Sequence, residues 1–248
     1  MALTSPNPFG PRPVLAAPQG DFAPDPLWEV AKTADARAPD ATRTDPSQLW
    51  SDLAAGYVRP HSERLGPTRS YVILSAVPPR SSGIRCPLTE AEATVLLRVL
   101  CGDQQKVIST ELRIAHSTAS KRCAQAIEKL DLTARSVPLP VVVAAQSAAG
   151  VVSNARVRHA PFAYEGAEYM VASIRRPLVH GRSPLTVSEQ SIAQLLVEGL
   201  SRWDIAKMRA TSVQTVSCQL RSIFAKFQAT GRYGLTRRAT ELGWFDGD

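Results

Sequence analysis

Gln214, Ser217, Cys218 and Arg221 have the residue types and spacing for recognition chemistry. They interleave with Val216, Leu220, Ile223 and Phe227, whose intervals of four, three and four lay apolar side chains along one stripe of an α-helix. With that stripe buried, the polar set faces outward. Gln214 and Arg221 carry planar donor arrays of the kind that read base edges, and a helix of this width enters the roughly 12 Å major groove. Ser212 is placed as the N-cap, so the N-terminal turn is the part that meets the bases.

A second set lies 97 residues earlier, at Ser117, Ser120, Lys121, Arg122, Ala124 and Gln125. It offers charge for phosphates but less for bases, so weaker sequence discrimination is expected there. No Ser, Cys or His stands in a triad or metal-binding context, so neither an enzymatic activity nor a cofactor is expected. Cys86, Cys101, Cys123 and Cys218 form no short-spaced pair and histidines are few. That argues against a zinc knuckle and a disulfide framework and for free thiols.

The formal net charge of +7 and a pI near 9.5 favour a polyanionic partner. The distribution says more. Residues 137 to 184 hold Arg156, Arg158, Arg175, Arg176 and Arg182 against Glu165 and Glu168, which makes this connector the most basic stretch. No apolar run approaches the roughly 18 residues of a membrane span, and no secretory leader is legible. A cytoplasmic protein without a membrane partner is expected.

The elements that must hold the two polar sets come as a repeat. Leu88-Thr89-x-x-Glu92 leads through Gly102, Ile108, Leu112, Thr118 and Lys129 to Arg135, and Leu185-Thr186-x-x-Glu189 leads through Gly199, Ile205, Thr215 and Lys226 to Arg232. A constant 97-residue register over this length marks a duplicated unit. Thr89 with Glu92, and Thr186 with Glu189, form capping boxes that start a helix. Its apolar side is Val95, Leu96, Val99 and Leu100, or Ile192, Leu195 and Leu196, and it stops near Gly102 and Gly199. A second helix follows, opened by Ser201 with Asp204 in one unit and by Asp103 in the other, with Ile108 and Leu112, or Ile205 and Met208, as its buried side. Trp203, in the turn before it, is expected to pack. A tight turn then leads to the third helix.

Ahead of each unit stands a strand pair: Tyr57 to Glu63 with Arg69 to Val77, and Ala155 to Tyr164 with Glu168 to Arg175, in which Tyr169 to Ser173 echoes Tyr71 to Ser75. A lone hairpin is marginal in water, so each must pack on its helices or pair with the other. A short helix is expected at Pro46 to Ala55, with Leu49, Trp50, Leu53 and Ala54 on its apolar side. Residues 1 to 45, rich in proline and alanine, are read as a disordered tail. The division expected is therefore 1–45; 46–150, with a core at 88–135; and 151–248, with a core at 185–245.

These residues resemble the four-helix DNA-binding domain of LuxR-type bacterial regulators. The later unit carries Leu185-Thr186, Glu189, Gly199, Ser201, Ile205-Ala206, Ser212, Thr215-Val216, Lys226 and Arg232. The earlier unit carries Leu88-Thr89, Glu92, Gly102, Ile108, Leu112, Thr118, Lys129-Leu130 and Arg135. The resemblance implies a mainly α fold with small β-hairpins, in which two tandem helix-turn-helix units each follow a hairpin. It extends the DNA-contact set to Ser212, Thr215 and Lys226, and to Thr118 and Lys129. It also implies a fourth helix used for dimerisation, which Pro138 and Pro140 interrupt in the earlier unit before Val141 to Ala148. That unit departs from the pattern at Ser109, Ala115 and Ala119.

Two readings follow. In one, the chain is a sequence-specific transcription regulator, a monomer with pseudo-dimeric halves or a homodimer, that binds duplex DNA at an asymmetric operator. In the other it is an adaptor or anti-activator that keeps the fold and contacts RNA polymerase or another regulator.

Overall fold

The computed structural model describes residues 25–37, 45–77, 86–132, 137–152, 157–179 and 183–246. Along them run α1 (Pro26–Arg37), α2 (Pro46–Ala54), β1 (Val58–Leu65), β2 (Arg69–Ala76), α3 (Glu90–Leu100), α4 (Gln105–Glu111), α5 (His116–Lys129) and α6 (Leu139–Ala148). Then come β3 (Arg158–Tyr164), β4 (Ala167–Arg175), α7 (Val187–Val197), α8 (Arg202–Met208), α9 (Val213–Phe227) and α10 (Arg232–Glu241).

The two hairpins pair with each other. They make one four-stranded antiparallel sheet of order β1-β2-β4-β3, so the fold is mixed α/β rather than helical units with separate hairpins. At the centre Ile73 faces Val171. On either side Tyr71 faces Ser173 and Ser75 faces Tyr169. Tyr71 and Tyr169 are equivalent in the repeat, as are Ser75 and Ser173, so each equivalent pair exchanges partners across the join. Within the sheet this exchange of partners is the pattern that a two-fold relation between strands produces.

The helices repeat with the same fidelity. Thr89 and Thr186 each accept from the amide of the glutamate three residues on at 3.3 Å, and each glutamate accepts the threonine amide at 2.8 Å. Arg113 and Ala210, 97 residues apart, both take the left-handed conformation in the turn before the third helix, and Asp131 and Gln228 both take it after that helix. The Ser201 and Asp204 box forms as expected. Asp103 does not cap its helix: Gln104 holds that position without a side-chain bond, and Asp103 is claimed by Arg98 at 2.7 Å.

One core runs through both halves. Val72, Leu74, Ala172 and Ile174 on the inner sheet face join Leu49, Leu53, Leu96, Leu100, Val141 to Ala145, Ile192, Val216, Ile223 and Leu235. Helix α6 is buried from Leu139 to Gln146 and packs on α2, α3, α10 and the sheet. Pro138 and Pro140 do not interrupt it. They stand at its N-terminus, where a missing amide leaves nothing unsatisfied. Two side chains, the half-buried Arg232 and the buried Gln146, tie the halves together. Arg232 donates to the carbonyls of Val137 (2.9 Å) and Val197 (3.2 Å), and Gln146 Nε2 donates to those of Leu100 (2.8 Å) and Tyr233 (3.0 Å). Leu100 and Val197 are equivalent, so each brace joins the end of its own unit's first helix to backbone of the other.

The expected tail contains helix α1. Leu27, Trp28, Ala31, Ala34 and Asp35 form its contact side against the outer sheet face, with Ala31 and Asp35 buried. Within that stretch the helix was not legible because its stripe is short, ends in a carboxylate, and is satisfied only by strands far along the chain. Residues 1–24 and 38–44, within the same expectation, lie outside the described residues, as do Arg135, Arg156 and Arg182. Met208 and Trp203 also depart from expectation: they are 44% and 74% exposed, and Ile205 with Ala206 supplies the buried side of α8. No helix among the described residues is long and apolar enough to cross a membrane.

Candidate nucleic-acid interface

Helix α9 is set against α7 and α8 by Val216, Leu220, Ile223 and Phe227, all buried, the stripe read from its spacing. Ser212 caps it, accepting from the Thr215 amide at 2.9 Å and sharing a hydroxyl contact of 2.8 Å with Thr215. Gln214, Thr215, Cys218 and Arg221 face solvent together. Ser217 is half-buried and donates to the Val213 carbonyl at 2.8 Å, so it stands apart from that set.

Lys226 belongs to the frame of this face. Its ammonium donates to Glu189 Oε2 at 2.6 Å, and Ser222 donates to the other carboxylate oxygen at 2.7 Å. Lys226, Ser222 and the Thr186 amide together hold the Glu189 carboxyl down at about 2. The pair thereby clamps α9 to the start of α7 through a group that stays charged. On the same helix pair, Gln219 donates to Ser188 Oγ at 3.0 Å, and from the end of α8 Arg209 reaches Ser188 and Ser191.

The earlier unit builds the same frame around a different face. Lys129 donates to Glu92 Oε2 at 2.7 Å. Burial pushes the Glu92 carboxyl up, but Lys129 and the Thr89 amide and hydroxyl outweigh it and hold it below the usual range. The sequence reading placed Lys129 and Lys226 among the DNA contacts; in the structure each ammonium is bonded to a glutamate and joins third helix to first. On α5, Lys121 and Gln125 are exposed and Thr118 and Arg122 half-buried. Ser120 donates to Gln105 Oε1 at 2.9 Å, which ties α5 to α4. Ala115 caps α5 without a side-chain bond. Ala124 stands where the later unit has Arg221, so the guanidinium is missing from this face.

Sequence reasoning passed over Arg202 and Lys207, both exposed on α8. Their signal was available, since Ile205 and Ala206 fix the buried side and leave them outward. It also passed over the Arg176 and Glu198 pair, 2.5 and 3.0 Å, which fastens the end of β4 to the end of α7. A pair 22 residues apart, in two different elements, has no local pattern.

Residues 183–239, spanning α7 to most of α10, match the family described as bacterial regulatory proteins, luxR family. This stretch carries a helix-turn-helix domain of that family, which supports a role in DNA binding and transcription regulation. The match does not extend to residues 88–132. No curated protein and no solved structure matches the chain.

Proposed function

We propose that the chain is a cytoplasmic, sequence-specific transcription regulator whose two helix-turn-helix units act as an intramolecular pseudo-dimer on an asymmetric operator. The observation that carries this reading is the exchange of equivalent partners about Ile73 and Val171, because it gives one chain the two-fold relation that separate subunits otherwise supply. The fourth helices α6 and α10 pack against each other within the chain, occupying the place the family resemblance assigns to dimerisation. The heads then differ in role. Gln214 and Arg221 read bases through α9, and Lys121 and Arg122 grip phosphates through α5.

A second reading is favoured by Trp203, whose 74% exposure on α8 offers a large apolar contact to RNA polymerase or another regulator. In that reading the chain is an adaptor, and DNA contact is incidental.

Selection of bound duplexes from a random-sequence pool separates the two. Enrichment of one motif, abolished by Arg221→Ala and weakening steeply between roughly 50 and 200 mM salt, supports the regulator. An absence of enrichment, with salt-insensitive binding to polymerase, supports the adaptor.

A further inference from the structure

Helix α1 has no counterpart in the repeat and packs on β3 and β4 at the outer sheet face. Its seam is small: Ala31 packs on Ile73, Ala160 and Val171, with Leu27, Trp28 and Ala34 alongside. Charge completes the attachment. Asp35, 4% exposed, accepts from Ser173 Oγ at 2.6 Å and lies 3.7 Å from Arg69 Nε, which itself donates to Ser173 Oγ at 2.9 Å. At the other end Asp25 is bonded to Arg64 at 2.6 Å. Between them the Trp28 ring meets Tyr71 edge-on at 4.9 Å, with the Arg64 guanidinium 5.5 Å from the Trp28 centroid.

The helix therefore presents anion, flat ring and anion to a face of arginines and aromatics. That face continues past α1. Phe162 and Tyr169 stack at 5.5 Å with 19° between planes, and His61 meets Tyr169 edge-on. Beside them α1 and β3 leave an open groove lined by Val30, Ala34 and Phe162. Arg158 stands opposite Ser173 in the neighbouring strand. Guanidinium groups take a phosphate as readily as a carboxylate, and aromatic faces take unpaired bases of any sequence; Phe162 and Tyr169 are half-buried here. Phosphates alternating with rings are what a single strand of nucleic acid offers.

We propose that the outer sheet face is a binding surface for single-stranded nucleic acid, and that α1 occupies it as an intramolecular mimic. The surface is separate from both reading heads, so its activity is independent of Arg221.

Two full-length variants release the helix by different means: Asp25→Asn with Asp35→Asn removes the anions, and Ala31→Glu puts an unpaired charge in the apolar seam. Hydrogen exchange over residues 26–37 reports release, and a short labelled single strand of mixed sequence reports binding, in the wild-type chain and in an Arg221→Ala background. Faster exchange with binding tighter by roughly tenfold or more is the result expected in both backgrounds, with the gain removed by adding Arg69→Gln and Arg158→Gln. Faster exchange without a gain overturns the proposal. So does a gain that survives loss of the two arginines, or protection of α1 unchanged in both variants.

Discussion

Ile73 and Val171 face each other at the centre of the sheet, in the one register that lets Tyr71 meet Ser173 while Ser75 meets Tyr169. A shift of one residue along either strand would turn the inner core side chains Val72 and Ala172 outward. The relation between the halves is thus fixed by the same packing that forms the core. It also has a functional consequence. Symmetric dimers of identical chains need matching half-sites, and under the pseudo-dimer proposed above two covalently joined, divergent heads would be free of that requirement.

The first prediction concerns the contact between the halves at Gly102. A Cβ built there would lie 2.5 Å from the Gly234 Cα, and the residue has φ +91°. Gly102→Ala is expected to cost more than about 2 kcal/mol, because left-handed strain and overpacking add. Gly150 has φ +68° with nothing near its Cβ position, and Gly150→Ala should cost only about 1 kcal/mol. Urea unfolding of the two variants beside the parent chain measures the difference.

The second concerns acid. The Glu189 carboxyl is held at about 2, against an ordinary 4.5, and Glu92 is lowered in the same direction. A depressed carboxyl contributes stability that is present above its unfolded value and lost as pH falls through its folded one. Stability should therefore decline between about pH 4.5 and 2. Glu189→Gln should flatten part of that decline and cost roughly 2–3 kcal/mol at neutral pH, the scale of a hydrogen-bonded charge. Thermal unfolding of both proteins across the acid range reads out both effects.

A third prediction uses the thiols. Cys101 and Cys123 are buried, and burial pushes Cys101 up to about 11 and raises Cys123. Cys86 and Cys218 are exposed. A maleimide should label the latter two in the folded chain and reach the others only after denaturation. A bound operator should protect Cys218 and leave Cys86 reactive. Equal reactivity of Cys218 with and without DNA would remove α9 from the interface.

The fourth separates the heads. Arg221→Ala should relax sequence preference, with a loss of about 1–3 kcal/mol at the cognate site. Lys121→Ala with Arg122→Ala should weaken all duplexes alike and lower the salt slope by about two phosphate contacts. Binding titrations of cognate and scrambled duplexes across salt distinguish the patterns.

What the sequence disclosed was what is local. The capping boxes, the stripe through Val216, Leu220, Ile223 and Phe227, and both hairpins each sit within one short window, and the structure has them with some strand ends shifted: β1 runs Val58–Leu65 and β3 starts at Arg158, Ala155 and Arg156 lying outside the described residues. The pairing of Ile73 with Val171 spans the chain, and two separate hairpins carry no sign of which edges will meet. The same limit hid α1, whose buried Asp35 makes sense only once Arg69 and Ser173 are beside it. Lys226 entered the expected DNA-contact set through the family resemblance. Its glutamate partner, 37 residues away, became visible only when α7 and α9 were packed.

The most direct test of the pseudo-dimer is the mass of the complex on the selected duplex, measured by sedimentation at concentrations well above the dissociation constant. One chain per asymmetric site, with both α5 and α9 protected from hydrogen exchange, is the predicted result. Two chains on a palindrome, with α5 left unprotected in each, would contradict the account.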